Sequence, residues 1–349
     1  MTASPTGAGT TLRVRAHLPT LEEVAELAGV SRSTASRAIN GGLKVSPEAQ
    51  AAVDGAVATL GYAPNRAARS LVTRRTDSVA LVIPEPDERV LSDPFFAAAL
   101  RGLTAALEPS DVQLVLVIAH AEGDRHRAAR YLRNGHVDGV VVVSHHSSDE
   151  LDASVARAGL PAVFIGRPWS TTVGLRYVDV DNVRGGRMAA EHLRASGRRR
   201  LATIAGPADM TAGVDRLRGW REGLAAGGVA DDLVEIADFT PQGAAAATAR
   251  LLDRAPDVDG LFVASDTMAA AALTVLAERG RRVPQDVAVV GYDDLSVATA
   301  VTPALTTLSN PAVAMARTAG ELLLAQIARG VHDEEPVIFA PELVVRDSA

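Results

Sequence analysis

An α/β fold behind a small helical module is what this sequence predicts, and three observations predict it. Beyond residue 78, β-rich apolar runs alternate with helical segments, and these runs come in two successive sets of four. Ahead of them, residues 20–40 read as two short helices broken at Gly29. Continuous apolar strands alternating with helices need cover on both faces, which means parallel sheets, and the doubling means two lobes.

Size and composition fit that division. A chain of 349 residues is too long for one small core. It is 47% hydrophobic and 22% charged, without the run of roughly 18 apolar residues that a membrane span needs. No membrane partner is expected. Residues 1–19 lack a continuous apolar stretch of the secretory kind and read as a disordered leader, which predicts a cytoplasmic protein. The absence of cysteine excludes disulfides, thiol nucleophiles and Cys-ligated zinc. Net charge is −7, unevenly spread: residues 1–77 hold nine basic and six acidic side chains, +3, leaving −10 for the remainder. Only the front end favours a polyanion.

The first helix is expected after Thr20, a capping residue with Glu23 three positions on, with Leu21, Val24, Ala25 and Ala28 inward and an end at Gly29. Following the turn at Gly29-Val30, Ser31 can cap a second helix, Arg32 to Ile39, closed by Asn40-Gly41-Gly42. The two make a helix-turn-helix pattern. At about 100° per residue, Arg32, Ser33, Ser36, Arg37 and Asn40 share one arc, and Ala35, Ala38 and Ile39 the opposite one. Short polar side chains allow close approach to DNA, hydroxyls can bond phosphates, and Arg can bond guanine bidentately. The competing reading of the arc is a plain solvated face. A third helix, Pro47 to Leu60 behind the cap Ser46, would turn Val53, Val57 and Leu60 inward. Pro64-Asn65 can then open a short basic helix whose exposed end is Leu71.

The stretch "TLEEVAELAGVSRSTASRAIN…VSPEAQAAVDGAVATLGYAPNRAARSL" resembles the headpiece of the lactose-repressor family of bacterial transcription regulators. That resemblance implies that Arg32, Ser33 and Arg37 read bases, with Asn40 on the same face. Ser31, Thr34, Ser36 and Asn65 would hold phosphates. It further implies a hinge helix that carries Arg69 and forms on the operator, where paired Leu71 side chains open a central base step from the minor groove. The chain departs from the family pattern at Ala35, where Val is usual, and at Ala49-Gln50, where Thr-Arg is usual.

In the long domain the runs are Val79–Ile83, Val112–Ile118, Gly139–Val143 and Pro161–Ile165, then Leu201–Ala205, Val234–Ala237, Gly260–Ala264 and Val287–Gly291. Ligands of open α/β sheets lie beyond the carboxyl ends of the strands. Reading those ends gives Asp93 with Phe95-Phe96, Ser144-His145, Gly166-Arg167, Arg216, Phe239, Ser265-Asp266 and Tyr292-Asp293. Carboxylates and Arg can grip vicinal hydroxyls while an aromatic face covers a sugar ring, so a sugar or sugar phosphate is the expected ligand. A purine remains as an alternative, although no base-reading residues stand out.

The segments "VDVDNVRGGRMAAEHLRASGRRRLATIAGP", "DRLRGWREGL", "LFVASDTMAAAAL" and "VAVVGYDDLSVATAVTPALTTL" are similar to the effector domain of the same family, which is periplasmic-binding-protein-like. By that similarity Arg216 and Asp293 are the main hydroxyl partners, with Asp266 and Phe239 beside them. Ser265 stands where Asn is common in the family. Simpler readings apply elsewhere: Asp181-Asn182 as a helix cap, Trp169 and Trp220 as packing, His145-His146 as strand-end residues, and Arg198–Arg200 as a solvated turn. The organisation that follows is a leader (1–19), a helix-turn-helix domain (20–64), a hinge helix and linker (65–77), and an effector-binding and dimerisation domain (78–349).

Two other functions compete. An enzyme would need a nucleophile elbow, phosphate loop, dinucleotide fingerprint or metal-spaced His pair, and none appears, so no cofactor, metal or catalytic residue is expected. A periplasmic sugar carrier fits the long domain but not the headpiece. The expected partners are therefore a palindromic double-stranded operator, a small effector and a second copy of the chain, since one helix-turn-helix reads too few base pairs.

Overall fold

The structure, a computed structural model, describes residues 19–40, 45–63, 75–149, 151–169, 175–330 and 335–349. Contacts divide the chain into Met1–Arg75 and Thr76–Ala349. The leader expected up to residue 19, apart from its last position, and the hinge residues Asn65, Arg69 and Leu71 lie outside the described residues.

In the first unit three helices, α1 (Leu21–Leu27), α2 (Arg32–Ile39) and α3 (Pro47–Leu60), close on Val24, Ala25, Ala35, Ala38, Val53 and Ala56. Each helix starts where its cap predicts. The Glu23 amide donates to Thr20 Oγ1 at 3.3 Å while the Thr20 amide donates to the Glu23 carboxylate at 2.7 Å. Ser31 and Ser46 cap α2 and α3 in the same way, each accepting from the amide three residues on. Between α1 and α2, Gly29 takes φ +66° so that the Gly29 and Val30 amides return to the Glu26 and Ala25 carbonyls, a Schellman turn that only glycine adopts without strain. Full burial of Val24 and Val53 contributes roughly 1.5–3 kcal/mol each to a core this small.

The second unit holds two six-stranded sheets. The first runs β11 (Val337–Phe339), β5 (Arg176–Val180), β4 (Ala162–Ile165), β3 (Gly139–Val143), β1 (Ser78–Ile83), β2 (Gln113–Ile118). The second runs β12 (Leu343–Val344), β10 (Thr306–Ser309), β9 (Ala288–Asp293), β8 (Gly260–Val263), β6 (Leu201–Ala205), β7 (Val234–Ile236). Among the described residues every pairing is parallel except β10 with β12. The lobes are not consecutive halves of the chain. After β10 the helix Ala312–Arg329 returns to pack on Pro94–Leu107 of the first lobe, β11 joins the first sheet, and β12 goes back to the second.

Strands β5, β10, β11 and β12 are absent from the expected set of eight. Arg176–Val180 carries Arg and Asp, Thr306–Ser309 is mostly hydroxylic, and the last two have three and two residues, so none presents an apolar run. Thr306 and Thr307 are buried because partners compensate their hydroxyls: Thr306 Oγ1 donates to the Arg346 carbonyl and Thr307 Oγ1 to the Asp266 carboxylate at 2.6 Å. The strand expected to stop at Gly291 runs on to Asp293.

Candidate functional site

The headpiece presents one polar face. Ser31, Arg32, Ser33, Arg37 and Asn40 are exposed and Thr34 and Ser36 half-buried, while Ala35 and Ala38 on the far side are core. Neighbouring bonds hold this face in shape. Ser31 Oγ lies 2.9 Å from Ser33 Oγ and 2.8 Å from Thr34 Oγ1, Arg37 Nε donates to the Ser33 carbonyl at 3.0 Å, and Asn40 Nδ2 donates to the Ser36 carbonyl at 2.7 Å. Arg32 Nε instead reaches back to the Glu22 carboxylate of α1 at 2.5 Å. Both ends of that pair are exposed, so it is weak and exchangeable.

The second concentration of polar groups is a cleft of about 680 Å³, open mouth included, between the carboxyl ends of the two sheets. Its size suits a small molecule. Backbone conformation aims several of its side chains. Ser144 (φ +59°), Phe239 (φ +60°) and Asp293 (φ +113°) all line it in the left-handed region, which side-chain-bearing residues occupy at a cost and which concentrates at functional sites.

Arg216 lies at the centre. Its helix, Thr211–Ala225, meets Asn182–Ala195 so closely at Gly186 and Gly219 that a Cβ at either would overlap the facing carbonyl, of Arg216 and Val183 respectively. That approach brings Arg216 Nε to Asn182 Oδ1 at 2.9 Å and Nη1 to the Ala264 carbonyl at 2.6 Å. The guanidinium lies 3.7 Å above the Tyr292 ring, and Nη2 pairs with Asp293 Oδ1 at 3.2 Å. Asn310 Nδ2 donates to the same Asp293 oxygen at 3.1 Å, and Asn310 Oδ1 is buried with no partner among the described residues.

Burial sets the electrostatics. It raises the Asp293 carboxyl to about 6 against the opposing pull of Arg216 and Asn310. Asp179 is also raised to about 6 by burial, although the Val180 and Arg167 amides donate to it. The Asp93 carboxyl is pushed up by burial too, while it caps its helix by accepting from the Phe95 amide at 3.0 Å. Burial drives His145 down to about 4, which leaves a neutral ring set edge-on to Phe164, with no well-formed hydrogen bond at either nitrogen.

Of the expected ligand residues, Asp93, Ser144, His145, Arg216, Phe239 and Asp293 line this one cleft. Phe96, Arg167 and Asp266 do not. Phe96 is fully buried in the first-lobe core and its neighbour Phe95 faces the cleft instead, because successive helix positions point about 100° apart. Arg167 swings aside to pair with Asp215 at 2.8 Å, and only its backbone supports the wall. Asp266 lies behind the wall, fully buried, accepting from Thr307 Oγ1 and from the Leu295 amide at 3.0 Å. Burial and the nearby Asp293 raise it to about 8, and Ser265 takes the place facing the cleft.

Arg89, Asp179, Asn182 and Asn310 line the cleft without having been expected there. Asp179 and Asn182 belong to the motif "VDVDN", in which the capping role of Asp181 is realised through the Arg184 amide while Asn182 beside it does something else. Arg89 lies between β1 and Asp93, on the helix Asp87–Ser92, and nothing local set it apart from Asp93 further along the same segment. Trp220 packs on Phe262 with centroids 5.5 Å apart. Arg198 and Arg200 bond to the Pro284 carbonyl and to Asp232. Among the described residues no group of His, Cys, Asp or Glu could hold a metal, and no helix is long and apolar enough to cross a membrane.

Two family models match: "Bacterial regulatory proteins, lacI family" over residues 20–65 and "Periplasmic binding protein-like domain" over residues 190–349. The HTH-type transcriptional regulator CelR of Thermobifida fusca is 48% identical over 337 residues, 96% of this chain and 99% of that protein. Among solved structures, a transcriptional regulator CelR–cellobiose complex is similar with a TM-score of 0.77 and 46% identity, covering 95% of this chain and 100% of that one. The lac repressor dimer bound to operator and the anti-inducer ONPF gives a TM-score of 0.84 at 25% identity, covering 95% and 99%.

Proposed function

Because the chain belongs to the lacI family of bacterial regulatory proteins, we propose that this DNA-binding transcription regulator is a sugar-controlled repressor with an uncharged disaccharide of the cellobiose class as its effector. It is a regulator and not an enzyme. The observation that carries the effector reading is the Arg216–Asp293 pair set beside Phe239: a fixed donor, a fixed acceptor and an aromatic plate in one cleft. Such a set suits vicinal hydroxyls on a ring with an apolar face.

An uncharged sugar fits better than a sugar phosphate. Both arginines of the cleft are already neutralised, Arg216 by Asp293 and Arg89 by Glu85 at 2.6 Å, and Asp93 and Asp179 add negative charge. A phosphate dianion there would meet carboxylates with no spare cation among the described lining residues to hold it.

The protein acts in the cytoplasm, as a homodimer on a palindromic operator. Within the organisation 20–64, 65–77 and 78–349, α2 enters the major groove. There Arg32, Ser33, Arg37 and Asn40 face bases, and Ser31, Thr34, Ser36 and Asn65 face phosphates. Sugar binding changes how the two hinge segments, with Arg69 and Leu71, pair on the minor groove. Coupling requires only that the sugar prefer one of two arrangements of the lobes. Isothermal calorimetry with cellobiose, maltose, ribose and glucose 6-phosphate tests the effector. Heat with cellobiose and none with the phosphate is expected; binding of glucose 6-phosphate alone overturns the reading.

A further inference from the structure

At the rim of the cleft, away from Arg216, a histidine joins the two lobes. His146 follows β3 of the first lobe and Asp209 follows β6 of the second. The two ring nitrogens of His146 face two different carboxylates: Nδ1 lies 2.9 Å from Asp209 Oδ2 and Nε2 lies 3.2 Å from Glu85 Oε1. An ionised carboxylate only accepts, so both contacts are hydrogen bonds only if both nitrogens carry protons. That makes the ring an imidazolium, with one bond inside its own lobe and one across the cleft. The backbone follows the same path, the Ser147 amide donating to the Asp209 carbonyl at 2.9 Å.

The surroundings favour this cation. Glu85 is buried and also accepts from Ser144 Oγ at 2.6 Å and from Arg89, and both of those residues line the cleft. The remaining charged or titratable neighbours are Asp149, which accepts from the His146 amide and pairs with Arg125, and the neutral His145. We propose that His146 is a charged latch: its imidazolium, clamped between Glu85 and Asp209, holds the two lobes together at the rim and positions Ser144 and Arg89 in the cleft wall.

Burial alone would lower the His146 pKa, but the two carboxylates outweigh it and raise it to about 9. The same contacts, with Arg89 and Ser144, hold Glu85 below the usual carboxylate range despite its burial. The latch is therefore set at neutral pH and released in alkali.

The chain has no native cysteine, so Glu122→Cys with Gln242→Cys gives one spin-label pair per chain at exposed helix starts, one on each lobe, and dilution into excess unlabelled chain leaves one labelled protomer in each dimer. Electron–electron distance measurements on the full-length chain without sugar then read lobe separation directly, independently of which sugar binds. Asp209 is half-exposed, so Asp209→Asn tests the latch without threatening the fold; His146→Gln is the second variant. Each is expected to shift the ratio of long to short separations by about tenfold or more, the size of one charge-assisted hydrogen bond. Raising the pH from neutral through about 9 is expected to give the same shift in the parent and none in Asp209→Asn. Equal distributions for parent and Asp209→Asn at neutral pH overturn the latch, as does a pH response that survives in Asp209→Asn.

Discussion

Arg216 and Asp293 meet in the cleft at 3.2 Å, and both are held from behind: Arg216 by Asn182, the Ala264 carbonyl and the face of Tyr292, Asp293 by Asn310. A pair so fixed would lose little further freedom on being bridged by a hydroxyl of the proposed sugar, and such preorganisation favours affinity.

Removing one partner strands the other. Arg216→Ala is expected to cost about 3–5 kcal/mol in thermal or urea unfolding, because Asp293 is left buried beside no cation. Arg216→Lys keeps the charge but not the fork, and should weaken cellobiose binding by about 10- to 100-fold in calorimetry while operator binding in a gel shift is unchanged.

Effector binding is expected to depend on pH near 6. Folding raises Asp293 and Asp179 to about 6, so their protonated forms favour the folded state; the stability they add is full below the unfolded carboxylate range and is lost as pH rises through about 6. In the proposed complex sugar hydroxyls would donate to the ionised form, so binding should release protons near pH 6 and weaken as pH falls below it. Calorimetry in two buffers of different ionisation heat reads the released protons, and Asp293→Asn should reduce them.

On the headpiece, Arg32 is paired with Glu22, which in the proposed operator complex would compete with DNA for it. Glu22→Gln should raise operator affinity several-fold by freeing that side chain and removing a negative charge near the phosphates. Arg37→Ala should cost about 1–3 kcal/mol and relax preference at one base pair, measured by anisotropy on single-substituted operators.

Leu71→Ala tests the hinge reading. Operator affinity should fall by an order of magnitude or more while cellobiose binding stays the same; undiminished operator binding would remove Leu71 from the account.

The three helices of the headpiece were legible in their starts and in the turn, because caps and turns are local chemistry: Thr20, Ser31 and Ser46 start helices just where they stand, and Gly29 turns the chain, although Ala56 joins the buried core without having been expected there. The sheet was legible where strands are apolar throughout. It was hidden where burial is compensated by hydrogen bonds, as at Thr306-Thr307, or where a strand is too short to make an apolar run of four, as at β11 and β12. In the cleft, the rule of strand ends found Arg216 and Asp293 but could not separate Phe95 from Phe96 or Ser265 from Asp266, since one step along a helix decides which side chain faces the cleft. Asn182 was obscured by its neighbour: Asp181 satisfied the helix cap, and nothing local told that the next residue holds Arg216.

The most direct test of a sugar-controlled repressor is sequencing of the genomic fragments that the purified full-length chain retains, with and without cellobiose. A palindrome with a central step open to the Leu71 wedge, whose enrichment changes with the sugar, is the predicted result. Enrichment of no palindrome, or of one that cellobiose leaves untouched, would contradict it.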